Sequence, residues 1–450
     1  MTSTVNPREI VLDILLEVNR DGEYSHIAIR RALDKYQFLP KQDRAFITRV
    51  TEGTIENMIQ IDYIIDQFSS VKVSKMKPVI QNILRSGVYQ IKDMNSIPNS
   101  AVCNEAVKLA QKRGFYSLKG FVNGVLRTID RKLDAISIPN REDNPNLYLS
   151  VLYSMPMWII EKWNAQFGTE TTEKIIRDLL EDKPTCVRVK QYRTNQEFVL
   201  GTLKAQGVSI KPSPYLDYAF YISNYNYLPA LEAFIQGNIQ PQDVSSMLVA
   251  EIANPKKGDY IIDLCAAPGG KSLHVADKMQ GFGTVDARDL TEYKVSMIQE
   301  NIKRADIINI RPSVKDATIF DEMSVEKADI VLADVPCSGL GVIGKKTDIK
   351  YKITQDKQDE LVILQRKILH NAASYVKPGG VLIYSTCTIG REENQDNIEW
   401  FTDNYSFELE SLDPYLCEDL RSETTARGYL QLLPGIHGTD GFFLARLRRK

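Results

Sequence analysis

The sequence predicts a multidomain protein: an all-α N-terminal part, a small α+β unit, and an α/β domain with a doubly wound, mostly parallel sheet. Three observations point there. Apolar residues recur at helical spacing through the first 133 residues. Strand-like and helix-like stretches then mix over 150–230. From about 231, short apolar runs alternate with helical or loop segments, the pattern of a parallel sheet. The expected boundaries are 1–137, 150–230 and 231–450.

The N-terminal part opens with Asn6-Pro7, an N-cap followed by proline at the first helical position. Ile10, Val11, Ile14, Leu15 and Val18 then share one helical face. Further helical patterns cover 41–68, 75–93, 100–113 and 118–133. "SIPNREDNPN" (137–146) reads as a linker. In the α+β unit, "MPMWIIEKWNAQFG" is a helix ended by Gly168, "TCVRVK" a strand, "NQEFVLGTLKAQGV" a helix and "YAFYIS" a strand. "DYIIDL", "GTVDA", "ADIVLAD" and "GGVLIYST" are strands of the large sheet.

Composition bounds the function. With 43% hydrophobic and 25% charged residues, the chain is a globular protein. Formal net charge is −2, but it is unevenly spread. Residues 1–133 hold 20 Lys/Arg against 14 Asp/Glu; the rest holds 36 against 44. The basic part suits a polyanion, and the bland alternative is a solvated helical surface. Six cysteines (Cys103, Cys186, Cys265, Cys337, Cys387, Cys417) are scattered without a CxxC pair, which argues against a zinc site or redox dithiol. No signal peptide and no long apolar span stands out, so a cytoplasmic protein with free thiols is expected.

"YIIDLCAAPGGKS" (260–272) is an apolar strand, an acid, a small-residue turn and a helix start. Small residues let backbone N–H groups and a helix N-terminus approach a ligand. Cys265 stands where a phosphate-binding P-loop needs glycine, and G-x-G-x-x-G is absent, so neither a nucleoside triphosphate nor a dinucleotide fits. S-adenosyl-L-methionine remains. An acid is then needed about 20 residues on for the ribose, and Asp289 is preferred over Asp286. Asp316, after the third strand, is expected near the adenine.

Cys337 in "ADVPCSGLG" and Cys387 in "YSTCT" each follow a strand. Those strands neighbour each other in a doubly wound sheet, so both thiols are expected on one rim beside the cofactor. Cysteine is a common small buried residue, but two at equivalent strand ends, with Asp334 three residues before one, point to chemistry. C5 of cytosine is a poor nucleophile. Adding a thiolate at C6 makes C5 able to attack a sulfonium methyl. Asp334 is placed to steady charge at N3/N4, and a second thiol can assist release.

"DLCAAPGGK", "DVPCSGLGVIGKKTDIKY", "YSTCT" with Glu392-Glu393-Asn394, and the terminal "HGTDGFFLARL" resemble the RNA 5-methylcytosine methyltransferase family over nearly the full chain. "PKQDRAFITRVTEGTI" and "FVNGVLR" resemble a NusB-like RNA-binding domain. The resemblance implies an RRM-like middle module and a Rossmann-like class I methyltransferase domain. It implies Cys387 as nucleophile and Cys337 as the residue promoting product release. It implies Cys265, Ala266, Ala267, Pro268, Gly269, Gly270 and Lys271, with Asp289, Asp316 and Asp334, as S-adenosyl-L-methionine positions. The implied substrate is one cytosine of 16S ribosomal RNA, flipped out or unpaired, and a monomer is expected. Two departures stand out. Val335 replaces alanine before the proline, and Gly344 and Thr347 replace a basic residue and a proline in a loop expected to touch RNA. Rival readings are a transfer RNA or large-subunit RNA substrate, a binding-only NusB-like protein, and a cysteine hydrolase. None of His26, His274, His370 and His437 stands in a recognisable partnership with Cys387.

Overall fold

The computed structural model describes residues 5–450. They form two compact units. One takes in the chain as far as Leu180 together with Ile343–Lys352; the other takes in Glu181–Val342 and Ile353–Lys450.

The first unit is helical. Its opening helix, Pro7–Asn19, is capped as expected: Asn6 accepts from the Arg8 amide, and Pro7 sits in the first turn. Its apolar face, including Ile10, Ile14 and Leu15, is buried with Ile47, Val50, Ile61, Ile83 and Leu126. The expected helical stretch 41–68 is two helices, Lys41–Glu56 and Met58–Phe68. Asn57 breaks it, with φ −98° and ψ 18°, and its side-chain amide donates to Gly53 O at 2.9 Å. Residue types that bond their own backbone favour such breaks. Helices Pro78–Asp93, Asn99–Lys112 and Lys119–Arg131 match expectation. Ser25–Lys35 is an additional helix; it has no side-chain cap, so the usual start signal is missing. Beyond the linker, Pro145–Leu152, Met157–Phe167 and Thr169–Leu179 follow, with Gly168 at φ 79° between the last two.

Ile343–Lys352 is bound into this helical unit. Asp348 accepts from the Ser25 amide at 2.9 Å and from its hydroxyl at 2.8 Å. Buried Lys350 donates to Glu56 O at 2.9 Å, and burial lowers its pKa to about 8. Lys352 donates to the carbonyls of Gly22 and Glu23. A Cβ on Gly344 would lie 2.6 Å from Leu179 O, which leaves no room for a side chain there. The loop expected to touch RNA is therefore half anchor, with Lys345 and Lys346 exposed.

The second unit begins with a four-stranded antiparallel sheet. Its strands are β1 (Thr185–Val189), β2 (Ser209–Pro212), β3 (Ala219–Ser223) and β4 (Ile239–Pro241), in the order β2-β3-β1-β4. Helices Gln196–Ala205 and Glu232–Ile235 complete a βαββαβ module. Arg188 on β1 forms a buried ion pair with Asp277 at 3.0 Å, and Asp277 also accepts from the amides of Gln191 and Tyr192. This pins helix Gly270–Lys278, whose first turn belongs to the small-residue loop.

The large sheet contains β5 (Tyr260–Asp263), β6 (Thr284–Asp289), β7 (Ile310–Val314), β8 (Ala328–Asp334), β9 (Val376–Thr386), β10 (Phe407–Leu409), β11 (Tyr429–Leu432) and β12 (Phe442–Arg449). The order is β10-β12-β9-β8-β5-β6-β7, with β11 on β12. The pairs from β9 to β7 are parallel, and β12 joins β9 antiparallel. Strands run outward in both directions from β5 and β8, so the switch point lies between them. Both faces are covered. Ile261, Ile330, Leu332 and Ile383 pack on one side, and Ile262, Val331, Leu382 and Tyr384 on the other. That is why these strands read as unbroken apolar runs.

Candidate active site

The loop after β5 reaches the carboxyl rim of the sheet. Gly269, at φ 105°, turns it into helix Gly270–Lys278. Asp289, ending β6, accepts from the Ala267 amide at 2.9 Å and the Leu290 amide at 2.7 Å. Asp286, the competitor, is occupied by Arg288 at 2.6 Å and Tyr260 at 3.2 Å. Asp316 lies beyond β7, where the Thr318 hydroxyl and amide hold its carboxyl below the usual range. Beneath the loop, Ser272 Oγ donates to Asp263 Oδ2 at 2.5 Å, while the buried Oδ1 has no partner. Burial pushes the Asp263 carboxyl up to about 7, with Asp334 and Asp289 nearby. Small residues, a helix start, an orphaned buried oxygen and carboxylates at successive strand ends fit a nucleoside ligand carrying an amino-acid tail.

Cys337 and Cys387 meet. Their sulfurs are 3.1 Å apart, just beyond the adjacent parallel strands β8 and β9. The hydrogen bond to Cys387, then burial, push the Cys337 thiol well up. Either sulfur can be the S–H donor in this contact. Asp334, at the end of β8, accepts from Lys271 Nζ at 2.7 Å and from Ser385 Oγ at 2.7 Å. Burial opposes the Lys271 charge, but Asp334, then Asp263 and Cys387, outweigh it and hold the ammonium above the ordinary lysine range. Lys271, expected as a cofactor residue, is thus also an electrostatic neighbour of Cys387. Cys265 is in the same loop, and burial beside Asp263, Asp289 and Asp334 pushes its thiol up.

Several positioning groups were not legible as such. Gly341 N donates to Cys387 O at 3.0 Å, and Gly441 N donates to Gly341 O at 2.9 Å. A Cβ on Gly341 would sit 2.0 Å from Gly441 O and 2.9 Å from Cys387 O. The "DGFF" segment thus backs the loop that carries Cys387. Asn394 accepts from Thr386 Oγ1 at 2.5 Å and donates to Thr388 O at 3.1 Å, bracketing Cys387. The histidines of this unit are engaged elsewhere. His370 bonds Tyr405, His437 accepts from the Leu433 amide, and buried His274 stacks edge-on with Tyr218. A hydrolase dyad with Cys387 has no support here.

Comparison with known proteins bears on the fold and the family. Residues 250–448 match the 16S rRNA methyltransferase RsmB/F family, 5–131 the NusB family, and 155–226 a ferredoxin-like domain of RsmF/B-like methyltransferases. The probable ribosomal RNA small subunit methyltransferase B of Bacillus subtilis (strain 168) is 36% identical, with 98% of each chain covered. A counterpart from Synechocystis sp. is 30% identical over 99% of this chain and all of its own. The solved structure of PH0851 matches with a TM-score of 0.82 at 28% identity, covering 99% of both chains. A methyltransferase homolog from Pyrococcus horikoshii matches at 0.59 and 28% identity over 68% of this chain and 99% of its own. With full-length relatives of this kind and both thiols on the methyltransferase rim, the chain belongs to the ribosomal RNA small subunit methyltransferase B family.

Proposed function

We propose that this protein methylates C5 of a cytosine in 16S ribosomal RNA through a covalent adduct between Cys387 and C6 of the base. The observation that carries the reading is the 3.1 Å pair of sulfurs beside Asp334. S-adenosyl-L-methionine, held by residues 265–271 with Asp289 and Asp316, supplies when bound an electrophilic methyl group for C5. The protein's residues do the rest.

The Cys387 thiolate adds to C6, forming the S–C6 bond and pushing the C5–C6 π electrons toward C5 and N3. Lys271 offers positive charge beside the reacting sulfur, and the Asp334 carboxylate orients the base by accepting from its exocyclic amino group. After C5 gains its methyl, its proton passes to solvent water at the rim, the C–H electron pair re-forms the C5–C6 double bond and the S–C6 bond breaks. The electron pair returns to Cys387. Cys337, still protonated next to that sulfur, can then give it a proton, which drives the base off. The cytosine must be unstacked to reach this rim. The basic helical N-terminal part supplies the polyanion grip.

The test is methyl transfer from labelled S-adenosyl-L-methionine to unmodified 16S RNA fragments, 23S RNA fragments and transfer RNA, with the modified base identified. The expected product is 5-methylcytosine in the 16S fragments alone. Label in another RNA would move the substrate, and label on another base or atom would overturn the chemistry.

A further inference from the structure

Glu393 is fully buried and ends four hydrogen bonds. Oε1 accepts from the Ser338 amide at 2.8 Å and Gln365 Nε2 at 3.0 Å. Oε2 accepts from Ser338 Oγ at 2.6 Å and Gln358 Nε2 at 2.8 Å. All four donors are neutral. A buried carboxylate without a cation is costly unless fully bonded, and no neutral side chain accepts four donors in this way.

The bonds converge on one residue. Gln365 Nε2 also donates to Pro336 O at 2.9 Å. The peptide groups on both sides of Cys337 are therefore tied to Glu393 or its direct partner. The Ser338 hydroxyl spends its proton on Glu393, so it accepts from Thr388 Oγ1 at 2.8 Å, which ties in the residue after Cys387. Glu393 is joined to the thiol loops through these neighbours. Its negative charge also adds to the forces that push the Cys337 thiol up.

We propose that Glu393 is a positioning residue for product release: through Ser338 and Gln365 it holds the Cys337 thiol against the Cys387 sulfur. This rests on the covalent reading above. Attack by Cys387 needs no movement of Glu393, so loss of the network should strand the adduct instead of preventing it.

The test compares Glu393→Gln, Ser338→Ala and Cys337→Ala in the full-length protein, with an unmodified 16S RNA fragment and labelled S-adenosyl-L-methionine. Denaturing gels read the trapped protein–RNA adduct, single-turnover assays read the methyl step, and thermal unfolding reads folding. The expected result is that Glu393→Gln raises the adduct and cuts multiple turnover about tenfold or more, with the first methyl transfer within about threefold. Ser338→Ala keeps the backbone bond to Glu393 and should show the same split more weakly. It decides the matter should Glu393→Gln fail to fold. Adduct from Cys337→Ala but not from the other two overturns the role of Glu393 and leaves the covalent reading intact. Equal slowing of methyl transfer and release makes Glu393 a purely structural residue and also overturns it. No adduct from Cys337→Ala, with turnover retained, overturns the covalent release reading and this inference with it.

Discussion

Lys271 Nζ donates to Asp334 Oδ2 across 2.7 Å, joining the helix after β5 to the end of β8. Neither side chain is fully buried, at 14% and 25% exposure, so breaking the pair costs less than breaking a deeply buried one. Asp334→Asn should therefore cost about 1–3 kcal/mol of stability. It should slow single-turnover methyl transfer by about 100-fold or more, because the acceptor for the base is weakened and Lys271 loses its counter-charge. A near-normal rate at saturating donor and RNA would remove Asp334 from the chemistry.

Cys387→Ala should abolish both methyl transfer and adduct formation. Donor affinity, measured by titration calorimetry, should stay within about threefold, since the thiol is needed only for the base. Turnover retained in this variant would eliminate the covalent route.

Gly341→Ala tests the loop backing. Its added methyl group collides with Gly441 O and crowds Cys387 O, so the Cys387 loop must shift. A misplacement of about 1 Å costs on the order of 100-fold in rate. Methyl transfer should fall by that order while donor binding holds. Unchanged kinetics would show that the loop adapts freely.

Two buried acids should leave opposite marks on stability against pH. Asp263 has its folded pKa raised to about 7, so its protonated form favours the fold. That contribution is complete below about pH 4 and is lost as pH rises toward and through 7. Relative to Asp263→Asn, the unsubstituted protein should lose stability across that window. Asp348 is the reverse: burial opposes its charge, but Ser25 and Lys352 outweigh it and depress its pKa. Its contribution is present above its unfolded value and lost as pH falls through the depressed one. Asp348→Asn should therefore be less stable than the unsubstituted protein at neutral pH and approach it in acid. Thermal unfolding across pH 3–8 reads both, and parallel profiles would contradict them.

The candidate site was legible because it sits at strand ends, where an apolar run stops and a polar or thiol-bearing residue follows. That pattern located Asp289, Asp334, Cys337 and Cys387, and the doubly wound order brought the thiols together. What could not be read depends on contacts distant in sequence. Gly341 meets Gly441 across 100 residues, and Ser25 meets Asp348 across 323. Glu393 could be recognised only as part of a motif, since its four donors come from two other segments. The break at Asn57 was hidden because apolar spacing continues on both sides of it. β7 contains Pro312, which fits its place at the sheet edge and weakens it as a strand signal.

The bond from Asp348 to Ser25 has a consequence for how the protein is made. Domains near the N-terminus usually fold while the rest of the chain is still being synthesised. Here the helical unit lacks Asp348, Lys350 and Lys352 until residue 352 has left the ribosome. Until then the bonds from Asp348 to Ser25, from Lys352 to Gly22 and from Lys350 to Glu56 cannot form. By that time β5 to β8 have already been translated. The maturation of the N-terminal unit is thus timed to the middle of the methyltransferase domain, and a fragment ending at Leu180 would be released unfinished.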